Sequence, residues 1–450
     1  MTRTRIDTIV LGLLLAIMGG MVLHTPVTIW LSSFWPDYEL LIKSWKEILM
    51  GVAAVLFTLP IAQKSRITKF RSDKILLLTA AIAMLHVFYV AVFNNSRLSE
   101  AAGLLIDLRF YLYFALVYSY LRLYPRDAKL FIITFFAGAA VVTVFALLQI
   151  FVLPKDILAH IGYSAQTIQP YLTVDLNDAY IRINSTLRGP NPLGAYAVIV
   201  ICMITAFYAV RFKTLERKKQ IIIAVIGIGA LAALWWSYSR SAALALVVAM
   251  GCFGITFGVR AISKKLIVYI LAAAIVIAAG AGVFFAANPG FVSTVILHEN
   301  QDGGSAHKSN DGHISSLQEG LEQTVDEPFG IGVGSTGSAS LLGDEPRIVE
   351  NQYLAMAHES GWLGTALQLI LFALILITAW KNRTQPIAVA VLASGVGMAI
   401  IGLVLPVWTD DTVSIIWWGI AAVATALSVT NEKGATKDER TSHKKAKRTT

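Results

Sequence analysis

Charged side chains stand at the ends of several long apolar runs, and their types allow one kind of chemistry. They are Lys43, Lys46, Glu47, Asp107, Arg109, Arg188 and Arg240. Five cations against two carboxylates would suit an anionic group held at a membrane surface, for example a lipid diphosphate, because arginine binds phosphate oxygens through paired N–H groups. A second interpretation stays open: the cations pair with Asp107 and Glu47, or Lys43 and Lys46 extend to the interface. We place none of these charges midway along a run, where a proton or ion relay would need them.

The elements that must position these charges are membrane helices. The chain has 450 residues, of which 56% are hydrophobic and only 14% charged, and its mean hydropathy is +0.65. A soluble domain has about a quarter charged residues, so a water-soluble globule is excluded. We predict an all-α fold, a polytopic transmembrane helical bundle of about 12 spans. The predicted spans are 8–24, 41–62, 75–93, 102–121, 130–152, 190–210, 220–237, 241–259, 266–286, 361–380, 386–406 and 413–430.

The net charge of +9 is mostly a signal of membrane orientation. Lys and Arg concentrate at the termini and in every second connection, and this pattern predicts that both termini are cytoplasmic. A nucleic-acid partner is therefore not expected, and the protein is expected to be integral to the membrane. Cys202 and Cys252 both lie within apolar runs, so neither a disulfide framework nor a cysteine metal site is expected.

Two of the outer connections are long, at 153–189 and 287–360. The second is strongly acidic and contains Ile314, Leu317, Leu321 and Val325 at helical spacing, which predicts a short interfacial helix over His313 to Val325. Four regions follow from this organisation. They are 1–286 with spans one to nine and the loop 153–189, the large extracytoplasmic loop 287–360, 361–430 with spans ten to twelve, and the basic cytoplasmic tail 431–450.

Three stretches together carry a family resemblance. They are Asn184 to Tyr196 (NSTLRGPNPLGAY), Ser237 to Leu246 (SYSRSAALAL), and Pro328 to Gly364 with PFGIGVGSTG and ENQYLAMAHESGWLG. In their order and spacing they resemble the O-antigen ligase and O-antigen polymerase family of bacterial surface-glycan enzymes. The resemblance implies a bacterial cytoplasmic-membrane enzyme that transfers an undecaprenyl-diphosphate-linked glycan to an acceptor hydroxyl with inversion. It implies a lipid-linked donor and a glycan or lipid acceptor as partners, and no metal, nucleotide sugar or other cofactor.

The resemblance also implies roles for single residues. Arg240, in the Ser-Arg turn, would hold the diphosphate and stabilise it as the leaving group, and Arg188 beside Asn191 would assist it. Where the ligases place a histidine, this chain has Glu350 before Asn351, a pattern closer to polymerase-type members. Because a carboxylate can accept a hydroxyl proton, Glu350 is the expected general base, and Asn351 would orient it or the sugar.

Other candidates complete the expected site. His358 lies ~80° around a helix from Glu350, so the two could line adjoining faces. His313 is an alternative base, and Arg109 and Lys46 are candidates for binding substrate. Glu359 with Gly361 and Gly364 is expected to shape the turn into span ten.

Two other function classes compete with a glycan transferase. A transporter or flippase of a lipid-linked glycan would need midplane polar residues, broken helices and internal repeats, which the sequence does not display. An inactive envelope scaffold would leave the arginines at the span ends unexplained. Polymerase and ligase activities are not distinguished, and neither the donor sugar, the acceptor nor the oligomeric state follows from the sequence.

Overall fold

The computed structural model describes residues 3–61, 70–93, 95–174, 176–211, 216–258, 286–291, 317–318 and 320–446. Fifteen α-helices within these ranges are numbered in chain order. They are α1 Arg5–Gly20, α2 His24–Phe34, α3 Glu39–Lys43, α4 Trp45–Ile61, α5 Lys74–Val92, α6 Arg97–Leu123, α7 Ala128–Phe151, α8 Pro190–Arg211, α9 Arg217–Ser237, α10 Arg240–Gly258, α11 Pro289–Phe291, α12 Gly337–Ser340, α13 Gln352–Lys381, α14 Pro386–Gly402 and α15 Asp411–Ala446.

Nine helices or joined helices in the described chain are long and apolar enough to cross a membrane. The first joins α1, a 3-10 turn and α2 into one segment, Arg5–Phe34, which is longer than the predicted 8–24. The shorter α14 is also apolar, and α4 coincides with the predicted second span. The predicted ninth span lies almost wholly outside the described residues. A polytopic helical bundle is therefore confirmed, while about 12 spans and cytoplasmic termini stay predictions.

Helix α6 begins earlier than predicted, and this changes the position of two charged residues along the helix. It begins at Arg97 rather than at residue 102, so Asp107 and Arg109 lie about three turns inside it. Their predicted position at the start of a span is wrong. The polar first turns of α6 pack against other parts of the protein. The Ser99 Oγ donates to the Gly334 carbonyl at 2.5 Å, and Glu100 is buried.

The core lies around α15 and α8. The first part of α15 packs on α6 and α14, and α8 packs on α14, α9 and α10. A helix that is apolar on all sides belongs inside a bundle, and nearly all side chains of Thr412 to Ser428 are buried. Trp417 and Trp418 of α15 contact the rings of Phe372 and Trp408.

The loop 152–189 contains the described β-structure. Strand β1, Leu172–Val174, pairs antiparallel with β2, Asn177–Arg182, in a register that places Leu172 opposite Arg182. Before this hairpin, a 3-10 helix over Ile157–Ile161 packs Leu158 against Ile29 of α2. The all-α prediction is correct for the bundle and omits only this hairpin.

The Gly-rich segment after 328 follows a tight backbone path across α6. Gly330, Gly332, Gly334 and Gly337 all have positive φ, between 63° and 97°. At Gly334 a Cβ atom would lie 2.2 Å from the Ser99 carbonyl oxygen, so only glycine fits. Within the predicted interfacial helix, residues 320–326 are helical, and His313 lies outside the described residues.

Helix α13 begins at Gln352, nine residues before the predicted start of span ten at Gly361. Gly361 has a non-helical backbone, with φ 60° and ψ −173°, and marks a kink. A Cβ atom there would lie 2.5 Å from the Phe329 carbonyl carbon. The chain therefore bends where it was expected to enter the span, and the Gly-rich segment packs into the bend.

Candidate functional site

A cavity of about 220 Å³ lies among α6, α13, the Gly-rich segment and the residues before α15. Its polar lining includes His86, Asp107, Arg109, Arg188, Thr336, Gln352, Glu359, Gln368 and Asp411. Two arginines thus face three carboxyl groups. The cavity is polar enough to bind a hydroxyl-rich or charged group, but it is not the cation-dominated pocket that the sequence predicts.

Of the two arginines that line this cavity, Arg188 is the one that can bind a ligand. Its side chain is exposed, and it has no hydrogen bond or ion pair to any residue that the structure describes. It lies directly before α8, whose first residue is Pro190. The guanidinium and the N-terminal end of a helix dipole therefore favour an anion at the same place.

The turn that precedes Arg240 packs against the first turn of α8. A Cβ atom on Gly194 would lie 2.8 Å from the Ala242 Cβ and 2.9 Å from the Ser239 Cβ. Arg182 also joins the two elements, because its Nε donates to the Ser237 carbonyl at 2.9 Å and its Nη2 donates to the Asn191 Oδ1 at 2.7 Å. The N-termini of α8 and α10 consequently lie side by side.

Arg240 is the first residue of α10 and is exposed. It is not among the residues that line the described cavity. The preceding Tyr238 has φ 48°, a left-handed conformation that side chains rarely adopt. Asn191, expected to help bind substrate, uses its Oδ1 to hold Arg182.

Arg109 and Lys46 are engaged in a buried network of ion pairs. The Lys46 Nζ lies 2.7 Å from the Asp411 Oδ2 and 3.2 Å from Glu47. The Arg109 Nη2 lies 2.5 Å from the Asp411 Oδ1 and also donates to the Thr409 carbonyl at 2.6 Å. Lys43 pairs with Glu39 at the surface. Lys43, Lys46 and Arg109 are therefore paired with carboxylates, as the second interpretation of the sequence expects. For Lys46 and Arg109, however, the shared acid is Asp411.

Two carboxyl groups line the inner wall of the cavity. The Glu359 Oε1 accepts hydrogen bonds from the Thr336 backbone N–H at 3.1 Å and from its hydroxyl at 2.8 Å. Glu359 therefore ties the kinked part of α13 to the Gly-rich segment. The Asp107 Oδ2 is buried and has no hydrogen-bond partner among the described residues. An unpaired buried acceptor beside a cavity is available to a substrate hydroxyl.

Glu350 lies at the cavity rim. Its neighbours Ile348, Val349 and Gln352 line the cavity, while Glu350 itself is exposed. Asn351 is the N-cap of α13: its Oδ1 accepts from the backbone N–H groups of Tyr353 and Leu354 at 2.9 and 3.1 Å, and its Nδ2 donates to the Leu403 carbonyl at 2.7 Å. The side chain of Asn351 is thus used to begin the helix.

His358 is separate from the cavity lining. Its side chain is 1% exposed, and within the described residues neither ring nitrogen has a hydrogen-bond partner. Its backbone carbonyl accepts from the N–H of Ile331 at 2.7 Å, which holds the Gly-rich segment in place.

Residues 222–369 match the family model described as O-antigen ligase. This match covers about a third of the chain and supports its resemblance to the O-antigen ligase and polymerase family. No curated protein matches the chain. The predicted family resemblance is thereby confirmed for two of the three stretches, Ser237 to Leu246 and Pro328 to Gly364, which lie within the match. The apolar helices of the described residues indicate a multi-pass membrane protein.

The O-antigen ligase match includes part of the site. It covers Arg240, Glu350, Asn351, His358 and Glu359, and it ends before α14. Arg188, Arg109 and Lys46 lie outside it. The cavity combines residues from the matched region with Arg109 and Arg188, which precede it, and with Thr409 and Asp411, which follow it. In the part of the chain that the structure describes, no group of three or more His, Cys, Asp and Glu side chains could hold a metal ion.

Sequence reasoning missed several polar residues of this site. Asp411 is the acid at the centre of the ion pairs, and the His24 Nε2 lies 3.1 Å from it. Asp410 and Asp411 stand directly before the last apolar run, so the criterion that selected Arg188 would have found them. His86 lines the cavity from α5 without any motif around it.

Asp410 is the N-cap of α15, where its Oδ1 accepts from the Val413 N–H at 2.9 Å. Burial raises the pKa of this carboxyl above its usual range, and the neighbouring charge of Asp411 raises it further. The Val413 N–H, Arg188 and Arg109 oppose this rise.

Proposed function

We propose that this protein transfers a glycan from an undecaprenyl diphosphate carrier to an acceptor hydroxyl at the outer face of the cytoplasmic membrane. The transfer is inverting and needs no metal ion. The observation that carries this proposal is Arg188, an exposed arginine in the wall of a polar cavity that has no hydrogen bond or ion pair within the described chain. A diphosphate is an anion that such a guanidinium binds through two parallel N–H donors.

The position of Arg188 supports a leaving-group role. It directly precedes α8, and the N-terminus of α10, where Arg240 stands, is adjacent to that of α8. Two helix N-termini and two arginines concentrate positive potential where a diphosphate gains charge as it departs. We assign Arg188 the main contact with the diphosphate and Arg240 a supporting one.

Glu350 is the proposed general base. Glu350 is exposed next to residues that line the cavity, where an acceptor hydroxyl can approach. Asp107, with a buried and unpaired oxygen in the inner wall, is the competing candidate. A single carboxylate suffices, because direct displacement requires one proton acceptor and one leaving group.

The bonds and charges balance in a single step. The acceptor O–H proton goes to the carboxylate, and the acceptor oxygen forms a bond to the anomeric carbon. The bond from that carbon to the diphosphate oxygen breaks at the same time, and its electron pair stays on the carrier. Attack from the face opposite the leaving group inverts the anomeric centre.

The test is a transfer assay with purified protein, a lipid-linked glycan and an acceptor. Arg188→Ala is expected to lose about a hundredfold or more in rate, because an electrostatic contact to the leaving group is removed. Arg97→Ala is the matched control, since Arg97 is exposed at the start of α6 and does not line the cavity. Equal rates for the two variants would refute the assignment of Arg188.

The base is tested in the same assay. Glu350→Gln is compared with Glu345→Gln, which changes another exposed glutamate of the same loop, and with Asp107→Asn. Loss of transfer in Glu350→Gln alone supports the proposed base, whereas loss in Asp107→Asn alone moves the role into the cavity. The anomeric configuration of the product, read by nuclear magnetic resonance, tests inversion, and activity in a chelator tests metal independence.

The glycan from cells that lack this protein distinguishes the two family activities. Single repeat units on the final carrier indicate that the missing enzyme is a polymerase. Long chains that remain on the lipid diphosphate indicate a ligase.

A further inference from the structure

A second polar cleft, of about 320 Å³, lies between the β-hairpin and the ends of α7 and α9. Its volume is in the range of about 300–1,000 Å³ that is typical of small-molecule sites. Asp107, Arg188, Arg240 and Glu350, which we assign or consider for transfer, are not among the described residues that line it. The cleft is therefore a different place from the polar cavity.

Hydrogen bonds fix the hairpin side of this cleft. The Ile183 N–H donates to the Trp236 carbonyl at 3.2 Å, and the Arg182 Nε donates to the Ser237 carbonyl at 2.9 Å. The Nη2 of Arg182 donates to the Oδ1 of Asn191, in the first turn of α8, at 2.7 Å. The cleft is thus formed by the fold, so a ligand does not lose affinity in ordering it.

Three aromatic side chains line the cleft and keep part of their surface exposed. Tyr171 precedes β1, Trp236 lies in the last turn of α9, and Tyr238 lies in the turn that follows. The Trp236 ring packs against Phe151 and the Tyr238 ring against Tyr180, with centroids 6.1 and 6.2 Å apart. These contacts hold two of the rings in place and leave half-buried aromatic surface in the wall.

This aromatic surface fits one class of ligand. Half-exposed rings with polar ends suit a compact molecule that has an apolar face and a polar edge. A pyranose ring has this form, because its axial C–H bonds lie on its faces and its equatorial hydroxyls lie around its edge. A lipid tail lacks the polar edge, and an inorganic anion lacks the apolar face.

The charged side chains in the lining are cationic. They are Lys155 and Arg182, and no described residue of the lining carries a carboxyl group. The Lys155 Nζ lies 5.0 Å from the centroid of the Tyr171 ring and 3.9 Å from the Asp178 Oδ1. Both partners of that ion pair are exposed, and such pairs contribute little, so a ligand carboxylate can compete with Asp178 for Lys155.

We propose that this cleft binds an acidic sugar of the glycan substrate, a uronic acid whose pyranose ring lies against Tyr171 and Trp236 and whose carboxylate faces Lys155. The inference rests on the proposed function for a glycan as the ligand. It adds a specificity site, apart from the reacting bond, that selects glycans by the charge of one sugar.

The experiment measures sugar binding, so it requires neither a lipid carrier nor transfer. The dissociation constants of methyl glucuronide and methyl glucoside, which differ in a carboxylate against a hydroxymethyl group, are determined by nuclear magnetic resonance titration. The sample is the purified full-length protein in a detergent without a sugar head group, because such a head group would compete for the cleft.

Two pairs of variants separate the charge from the rings. Lys155→Gln is matched by Lys219→Gln, because both lysines are exposed and paired with a nearby carboxylate but only Lys155 lines the cleft. Tyr171→Leu is matched by Tyr38→Leu, which changes an exposed tyrosine outside the lining. Trp236→Leu is a second ring variant for the case that Tyr171→Leu does not fold.

We expect the wild-type protein to bind the glucuronide more tightly than the glucoside. Lys155→Gln should weaken glucuronide binding by about two- to fivefold, the value of an exposed ion pair, and should leave glucoside binding unchanged. Tyr171→Leu should weaken the binding of both sugars by about threefold or more, because each loses the same aromatic contact. The two control variants should bind both sugars as the wild type does.

Several results would overturn the proposal. They are equal wild-type affinities for the two sugars, an equal effect of Lys155→Gln on both, and an unchanged affinity in the ring variants. Displacement of the glucuronide by an equal concentration of inorganic phosphate would also overturn it, because the cleft would then bind anions without regard to the ring.

Failure of this inference differs from failure of the proposed function. If the variants bind the sugars as expected and the wild-type protein performs no transfer, the cleft is supported and the activity is wrong. If transfer depends on Arg188 while Lys155→Gln and Tyr171→Leu bind both sugars like the wild type, the activity is supported and the cleft is wrong.

Discussion

The Arg109 Nη2, about three turns inside α6, lies 2.5 Å from the Oδ1 of Asp411, the first residue of α15. The other carboxylate oxygen of Asp411 accepts contacts from the Lys46 Nζ at 2.7 Å and the His24 Nε2 at 3.1 Å. One carboxylate therefore holds α2, α4, α6 and α15 together. Lys46 and Arg109 are accordingly held by their partners, so that, of the two arginines that line the cavity, Arg188 is the one that a substrate can reach.

Replacement of Asp411 should destabilise the protein strongly. Asp411→Asn removes the charge that neutralises Arg109 and Lys46, whose side chains are 5% and 3% exposed, and leaves both cations buried. We expect a loss of about 3 kcal/mol or more in the free energy of unfolding, measured by denaturant titration in detergent. Glu39→Gln breaks an exposed pair with Lys43 and should cost less than about 1 kcal/mol. Similar losses in the two variants would contradict the structural role of Asp411.

Asn351 should prove to be a helix cap. Asn351→Ala removes the oxygen that accepts from the Tyr353 and Leu354 N–H groups, and should lower the free energy of unfolding by about 1–2 kcal/mol. Asn351→Asp keeps that acceptor and loses only the contact with Leu403, so it should cost less. Thermal unfolding of both variants checks the order. The reverse order would show that the cap is not the main contribution of Asn351.

Asp410 should make stability depend on pH. Burial raises its pKa above the value of about 4 in an unfolded chain. The folded state thus binds the proton more tightly, so the stabilisation is fully present below the unfolded pKa and is lost as the pH rises through the folded pKa. Asp410→Asn keeps the cap of α15 without a charge. We expect the melting temperature of this variant relative to wild type to increase from acid to neutral pH, and a pH-independent difference would be inconsistent with the raised pKa.

The Gly-rich segment offers a matched pair of substitutions. Gly334 and Gly337 both have positive φ, but a Cβ atom at Gly334 would lie 2.2 Å from the Ser99 carbonyl oxygen, whereas one at Gly337 would have no atom within 4 Å. Gly337→Ala should cost only the backbone strain, about 1–2 kcal/mol. Gly334→Ala should cost more and should also reduce transfer, because it moves the cavity wall at Thr336. Stability and transfer rates of the two variants test this, and equal effects would argue against close packing on α6.

The sequence determined the membrane fold and the family. Hydropathy is a property of neighbouring residues along the chain, so most spans were predictable without knowledge of their packing. The Gly-rich segment and the Ser-Arg turn were recognisable in the same way, because their residues are contiguous. The four glycines with positive φ show that the backbone path was also encoded locally.

Only the tertiary structure decided which charges are paired. Arg109, Lys46 and Arg188 are all cations near the ends of apolar runs in the sequence, yet two of them meet Asp411 and the third does not. Ion pairing requires contacts of a few ångströms between helices that are distant in the chain, and hydropathy carries no information about which helices are neighbours. For the same reason, the sequence did not show that Asn191 and Asn351, which stay predicted substrate contacts, are also hydrogen-bonded within the fold. The sequence thus supplies the candidate charges, and the packing of the helices leaves Arg188 free.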